Sequence, residues 1–267
     1  MSKSTISISE IQLVSSSLLI LINMGLSVGL RLGLEKTLAI ATIRMVVQLL
    51  LIGYVLNWLF SLSNPIAILL LAILMTSIAG MSGVNRTSRR FVGIYWRSFL
   101  SILVAAFFIT QFSILAVIQV NPWYDPQYLI PLLGMILGNA LNGVSLGLEQ
   151  FMESLVTNQG KIETLLSLGA TRWEATHAEV KQAVRRGMIP IINSMMVMGV
   201  VNLPGMMTGQ ILAGASPLDA VRYQIIIIFA IASGSALGTL GVVLLAWQAL
   251  LSPSHQLRLN KLIKVKP

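Results

Sequence analysis

Several polar and sulfur-bearing side chains lie inside apolar stretches of the chain, where they could bind a solute. Six of the thirteen methionines fall between Met188 and Met207. Thioethers are soft ligands that suit monovalent copper, although methionine is also an adaptable filler of apolar cores. Both roles for the methionines stay open. Pro204 should interrupt the helix that carries them, because proline has no amide proton to donate within a helix. We predict a path for a small solute, lined by Arg44, Gln48, Asn139, Asn142, Met195, Met198, Asn202 and Met206.

Arg44 is the one basic residue deep inside an apolar stretch. It follows Lys36 by eight residues, which places it about 12 Å into the membrane at ~1.5 Å per helical residue. An arginine at the bilayer centre costs roughly 2.5–3.5 kcal/mol on insertion scales. Two interpretations remain open. Arg44 either extends its guanidinium to the interface, or faces the protein interior together with Gln48, one turn further on.

The residue types restrict the chemistry that the chain can perform. There is no cysteine, and the only histidines are His177 and His255. A thiolate metal site, a cysteine nucleophile and a histidine metal site within the membrane are therefore excluded. The chain also lacks the G-x-x-x-x-G-K-[ST] phosphate loop. We expect a chain that is not an enzyme and has no cofactor of its own, with any ATP and Mg bound by a partner.

The elements that carry these residues are long apolar runs. Hydrophobic residues make up 55% of the 267 and charged residues only 10%, whereas soluble proteins have about 25% charged residues. About 20 apolar residues cross a bilayer as a helix. We predict an all-α polytopic membrane protein in which residues 1–267 form a single transmembrane domain. Its seven or so transmembrane helices would follow the runs at about 11–30, 37–60, 65–83, 98–120, 128–148, 188–212 and 223–250.

The positive charges predict how these helices are oriented. With seven spans, fifteen of the eighteen lysines and arginines fall on one side of the membrane. The positive-inside rule makes that side cytoplasmic, so the N-terminus is outside and the C-terminus is cytoplasmic. The basic residues lie next to membrane spans, where anionic lipid accounts for the net charge of +9. We therefore expect a lipid bilayer and no nucleic acid as the partner of these charges.

One polar segment, at about residues 149–187, stands between the fifth and sixth runs on the predicted cytoplasmic side. A helix near 161–168 should end at Gly169, because glycine accepts the left-handed conformation that ends helices. Thr171 and Glu174 have the spacing of a capping box, which would start a second helix. The segment is thus predicted to be a cytoplasmic helix-turn-helix whose apolar edge needs a partner.

This segment resembles the coupling helix of ATP-binding-cassette permeases. In "ETLLSLGA", Glu163 and Gly169 stand six residues apart, as they do in the EAA-type motif of those permeases, with Thr164 and Leu165 in place of the two alanines. In that family the segment is a short cytoplasmic helix seated in a groove of a separate ATPase subunit. The resemblance implies ATPase coupling by Glu163, Gly169, Ala170, Thr171 and Arg172.

Longer segments resemble the FetB family of iron-export permeases, to which plant relatives implicated in aluminium tolerance belong. The similar stretches are "RMVVQLLLIGYVL" (44–56), "YDPQYLIPLLGMILGNALNGVSLGLE" (124–149) and "MMVMGVVNLPGMMTGQILAGASPLDAVRYQI" (195–225). The resemblance implies a multi-pass permease subunit of the plasma or inner cell membrane. It would pair with an ABC-type ATPase and with a second copy of itself, and would export a metal ion such as iron or a related small solute.

An ATP-independent secondary transporter or channel is the alternative. Proton-coupled carriers usually hold Asp, Glu or His within their spans, and none lies within the apolar runs. Four pairs of glycines four residues apart allow close helix packing within one chain or between two copies. These pairs are Gly134 and Gly138, Gly143 and Gly147, Gly205 and Gly209, and Gly234 and Gly238.

Overall fold

The computed structural model describes residues 9–62 and 64–265 of the protein, and nearly all of these residues are helical. Two strands of two residues each, β1 (Arg89–Arg90) and β2 (Ile263–Lys264), pair antiparallel. The helices in chain order are α1 (Glu10–Gly29), α2 (Glu35–Leu62), α3 (Pro65–Asn85), α4 (Ile94–Phe112), α5 (Pro126–Thr157), α6 (Gln159–Ser167), α7 (Arg172–Val197), α8 (Gly205–Leu212) and α9 (Pro217–Leu250).

Three of the long helices begin with the same two-residue motif, a polar residue followed by proline. The Asn64 side chain accepts a hydrogen bond from the Ile66 amide at 2.9 Å, and Asp125 accepts one from Gln127 at 2.9 Å. Proline favours the first helical position because its missing amide proton would have no partner there. Ser216 and Pro217 begin α9 in the same order. Short polar loops therefore fix where these apolar helices start.

Six helices in the part of the chain that the structure describes are long and apolar enough to cross a membrane. They are α1, α2, α3, α5, α9 and α4 extended to Ile118 by a π-helical turn. The prediction of a multi-pass membrane protein is confirmed, and the predicted all-α fold is correct except for the short strands β1 and β2. The sixth apolar run, at about 188–212, differs from the others because it is divided between the end of α7 and the short helix α8.

The polar segment predicted at 149–187 is not a separate loop. Helix α5 continues to Thr157, and α7 is one helix from Arg172 to Val197. Only α6 and its flanking turns lie between the two long helices. The two ends of the predicted segment are therefore built into long helices: α5, which is apolar enough to cross a membrane, and α7, whose last residues begin the apolar run at about 188–212.

The core forms where α5 packs along α9, with α3, α4 and α7 against this pair. Gly187 on α7 lies so close to α5 and α9 that a Cβ there would be 2.6 Å from the Gly143 carbonyl oxygen and 2.5 Å from a Thr239 methyl carbon. Gly147, Gly234 and Gly238 likewise face neighbours within the chain. These glycines serve packing inside one chain, whereas Gly205 and Gly209 have open space around them.

Helices α1 and α2 contact each other and lie largely outside this core. Almost none of the α1 span is buried in the chain, and on α2 the buried residue is Leu59, which joins the core near the end of that helix. Large apolar side chains such as Leu19, Ile43 and Leu50 are exposed along them. Lipid or another chain has to cover these faces.

Candidate functional site

The predicted helix-turn-helix is present, and two backbone hydrogen bonds close its turn. Helix α6 ends at Ser167, and Gly169 has a φ of +93°. The Ala170 amide donates to the Leu165 carbonyl at 3.0 Å and the Gly169 amide to the Leu166 carbonyl at 3.1 Å. This pair of bonds is the Schellman arrangement, which needs a residue that accepts a positive φ. The stop predicted at Gly169 is confirmed.

The start of α7 is also confirmed as a capping box. The Glu174 amide donates to the Thr171 hydroxyl at 3.3 Å, and the Thr171 amide donates to the Glu174 carboxylate at 2.8 Å. The Thr171 amide and hydroxyl, which both donate to this carboxylate, hold the pKa of Glu174 below its ordinary value of 4.5. Two amide protons that have no partner within the helix are satisfied in this way.

The helix-turn-helix is held against the long helices on one side and open on the other. Ile162 is fully buried, and Leu165 and Leu166 pack against the core. Glu163, Gly169 and Thr171 are exposed, and the Leu168 side chain between them is 79% exposed. We call the surface from Leu168 to Thr171 the α6–α7 ridge. It combines an apolar tip with a fixed turn, which suits a groove on another protein.

The Arg172 side chain, by contrast, is directed into the chain. Its guanidinium lies 4.5 Å from the centre of the Trp247 ring on α9 and donates to the Leu251 carbonyl at 3.4 Å. The Arg172 backbone amide donates to Nδ1 of His255 at 2.9 Å. Of the residues predicted for coupling, Arg172 therefore anchors the ridge to the end of α9, while Gly169 and Thr171 form the ridge itself.

Sequence reasoning missed Glu179, a buried carboxylate beneath this unit. It is 3% exposed, and its Oε1 accepts a hydrogen bond from the Asn158 side chain at 3.3 Å. Its other oxygen has no partner among the described residues. Asn158 ends α5, so this contact ties the end of α5 to α7. Asn158 and Glu179 are 21 residues apart in sequence, so no local sequence pattern predicts their contact.

The second candidate site is a cleft at the interruption between α7 and α8. Pro204 predicted an interruption, and the regular helix ends earlier, at Val197. The Val197 carbonyl accepts bonds from the Val201 amide at 3.0 Å and the Asn202 amide at 3.3 Å, and Gly199 has a φ of +83°. Because the methionine and asparagine positions lie on both sides of this turn, they do not form one continuous helical stripe.

The cleft has a polar part and an apolar part that share several residues. The polar part has a volume of about 200 Å³ and includes Ser194 and Gln224 as well as predicted path residues. The apolar part has a volume of about 610 Å³. Of the predicted path residues, Asn139, Met198, Asn202 and Met206 line the polar part, and Met195 and Met198 line the apolar part.

Gln224 joins the two parts, and sequence reasoning did not identify it. Gln224 is 7% exposed and lines both parts of the cleft. Its Oε1 has no hydrogen-bond partner among the described residues. The available signal was its position as a lone uncharged polar residue directly before the apolar sequence "IIIIFAIA" of α9. Asn139, across the cleft on α5, donates from Nδ2 to the Met135 carbonyl at 2.9 Å.

The remaining predicted path residues lie elsewhere. Arg44 and Gln48 are exposed on α2 and do not line the cleft. Asn142 accepts a hydrogen bond at 2.6 Å from Arg86, in the loop after α3. In the same loop, Arg89 forms an ion pair of 2.9 Å with Glu153. The face of α5 that carries Asn142 and Glu153 therefore holds the α3–α4 loop within this chain.

No group of three or more His, Cys, Asp or Glu residues that could hold a metal ion occurs in the part of the chain that the structure describes. A metal bound in the cleft would meet amide, hydroxyl and thioether groups. Such groups give a site with no formal charge.

These helices define a multi-pass membrane protein. The chain belongs to the family UPF0014, described as an uncharacterised protein family, which matches residues 10–251. A UPF0014 membrane protein of Synechocystis, slr1647, is 40% identical over 80% of this chain and 83% of its own length. No solved structure matches the chain.

Two relatives have names that describe a role. The Arabidopsis thaliana protein ALUMINUM SENSITIVE 3 is 33% identical over 90% of this chain and 86% of its own length. The Escherichia coli protein described as a probable iron export permease protein, FetB, is 32% identical over 88% of this chain and 89% of its own. The resemblance to the FetB family and to its plant relatives is thereby confirmed.

Proposed function

We propose that this protein is the membrane-spanning permease subunit of an ABC transporter that exports a metal ion, such as iron, or a related small solute. The iron-export name of the Escherichia coli relative supports the cargo and direction. The observation that carries the proposal is the α6–α7 ridge. A fixed, exposed turn with an apolar tip stands between α6 and α7, next to the end of the membrane-spanning helix α5 and at the start of the long helix α7.

Energy for transport comes, in this proposal, from a separate ATPase subunit. The sequence contains no phosphate loop, so ATP and its Mg are bound on the partner chain. The α6–α7 ridge seats in a groove of that ATPase, and movement there is passed along α7. The permease subunit itself is not an enzyme.

The permease works as a pair of identical copies. Exposed apolar faces on α1 and α2 and the open space around Gly205 and Gly209 leave surfaces that a second copy can cover. The ridge lies on the cytoplasmic side, and the N-terminus lies outside. Most of the lysines and arginines accumulate on that cytoplasmic side when the interrupted run at 188–212 counts as one crossing.

Purification of the full chain from its own cells in mild detergent tests this function. We expect an ATPase with a phosphate loop to co-purify in a one-to-one ratio and its ATP hydrolysis to be inhibited by vanadate. Reconstituted vesicles should then move the cargo only when ATP is supplied on the ridge side. Transport by the chain alone, without ATP, would identify a secondary transporter or channel and overturn the proposal.

A further inference from the structure

The described residues that line the cleft carry no charge. Asn139, Asn202 and Gln224 supply amides to the polar part, Ser194 supplies a hydroxyl and methionines supply thioethers. The apolar part is lined by aliphatic and aromatic side chains such as Leu203 and Phe229. Among the described residues, none that lines either part is an Asp, Glu, Lys, Arg or His. The cleft therefore offers a bare ion no opposite charge.

The two helix ends at the cleft do not supply that charge either. Met198, at the C-terminal end of α7, and Gly205, at the N-terminal start of α8, both line the polar part. A helix carries partial negative charge at its C-terminal end and partial positive charge at its N-terminal end. The two ends therefore oppose each other, and the site favours a dipolar or uncharged group over a net charge.

Gln224 points to a ligand that donates hydrogen bonds. Its buried Oε1 has lost contact with water and has no protein partner among the described residues. An unsatisfied buried acceptor is unfavourable, so the native sequence would be expected to pair it or to replace it with an apolar residue. A bound molecule that donates to Oε1 accounts for a glutamine at this position.

The size of the apolar part argues for an organic molecule. Its volume of about 610 Å³ lies within the roughly 300–1,000 Å³ that is typical of small-molecule sites. A bare metal ion would occupy only the smaller polar part, and the adjoining apolar surface would have no role in its recognition. An amphipathic molecule would contact both parts at once.

We propose that this cleft binds an uncharged amphipathic solute, either an organic molecule or the neutral organic chelate of a metal ion. Hydrogen-bond donors of the solute meet Gln224, Asn139 and Asn202, and its apolar groups meet the Leu203 and Phe229 wall. This inference rests on the proposed transport function and names the form of the cargo. A metal thus enters the site with its charge already neutralised by its chelator.

The probes are the ferrous ion alone and the neutral complex of ferric iron with three kojate ligands. Each kojate carries a hydroxymethyl group that can donate a hydrogen bond. Equilibrium dialysis of the detergent-purified full chain with radioactive iron measures the binding of each probe. We expect the neutral complex to bind and the ferrous ion alone to bind at least about tenfold more weakly.

A matched pair of variants locates the binding site. Gln224→Leu removes the buried acceptor, and Gln111→Leu removes a second buried glutamine oxygen without a partner, in a separate hollow on α4. Neither change should impair folding, because leucine replaces a polar group that has no partner. We expect Gln224→Leu to weaken binding of the complex about tenfold, as the loss of one buried hydrogen bond predicts, and Gln111→Leu to leave it unchanged.

Several results would overturn this inference. They are tighter binding of the ferrous ion than of the complex, equal binding by both variants, equal loss in both variants, and no binding of either probe. Measurement of ATPase association on the same preparations separates this outcome from the proposed function. A chain that binds its ATPase but prefers the bare ion remains an ABC permease with a different form of cargo.

Discussion

The Trp247 indole N–H on α9 donates a hydrogen bond of 2.9 Å to the Thr176 hydroxyl on α7. Thr176 is fully buried, and its hydroxyl also donates to the Arg172 carbonyl at 2.6 Å. Trp173 packs edge-on against the same Trp247 ring, with 5.6 Å between ring centres. The first turns of α7 are therefore fastened to the end of α9 directly behind the α6–α7 ridge.

This hydrogen bond should contribute measurably to stability. We expect Thr176→Val and Trp247→Phe each to lower the free energy of unfolding by about 1 kcal/mol or more, because a buried donor or acceptor loses its partner. The double variant should cost less than the sum of the two. Denaturant titration in mixed micelles measures these values, with Trp123→Phe as the control. Additive effects would mean that the two side chains do not act as a pair.

The ridge gives a prediction that depends on one backbone angle. Gly169 has a φ of +93° and open space around it, whereas Gly160 lies in a regular turn of α6 with equally open space. Valine at Gly169 should cost on the order of 1–2 kcal/mol through backbone strain alone, and Gly160→Val should be nearly neutral. We expect Gly169→Val to insert normally but to lose ATP-dependent transport, while Gly160→Val retains it.

Glu163→Arg reverses the charge of an exposed side chain on the same unit. Among the described residues, the Glu163 carboxylate accepts its one hydrogen bond from the Gln159 side chain one turn earlier, at 2.9 Å. Folding should therefore be unaffected, and ATPase association should weaken. Wild-type levels of ATPase binding and transport in both Glu163→Arg and Gly169→Val would exclude the ridge as the docking surface.

The contact at Gly187 should tolerate no side chain. A Cβ there would lie 2.6 Å from the Gly143 carbonyl oxygen, a backbone atom that can move only with α5. Overpacking of this kind typically costs about 1–3 kcal/mol. We expect Gly187→Ala to lower the apparent melting temperature in detergent, while Gly160→Ala leaves it unchanged or raises it. An unchanged melting temperature for Gly187→Ala would show that α5 and α7 lie further apart than the structure has them.

The orientation can be tested on a clean background because the chain has no cysteine. A cysteine at Asp125 or Asp219 should react with an impermeant thiol reagent added outside intact cells. A cysteine at His177 should react only after the membrane is opened. All three positions are at least partly exposed, so access depends on the side of the membrane. The reverse pattern would place the ridge outside and remove it from any cytoplasmic ATPase.

Local sequence signals predicted the parts of the fold that depend on local bonds. Gly169 and the pair Thr171 and Glu174 act within one or two turns of the chain, so their spacing was enough to predict the turn. The interruption after α7 was placed too late, at Pro204. The fold uses Gly199 and the Val197 carbonyl to end the helix earlier, and neither has a distinctive sequence pattern.

Contacts between distant segments could not be predicted in this way. Asn142 was predicted to line a path, yet it binds Arg86, which lies 56 residues away in sequence. Gln224 became recognisable only when packing buried its oxygen against the cleft. Arg44 and Gln48 were grouped with the path because of their depth in the membrane, but depth does not fix which face of α2 they occupy.

The continuity of α7 has a mechanical consequence. Its 26 residues form a rod about 39 Å long that joins the ridge at Thr171 to the cleft at Met198. The tight contact at Gly187 divides the rod into arms of about 22 Å and about 15 Å at ~1.5 Å per residue. If the rod tilts rigidly about that contact, the cleft end moves about two-thirds as far as the ridge end and in the opposite direction. Pro190 lies in the shorter arm. Bending of α7 at Pro190 would reduce the displacement that reaches the cleft.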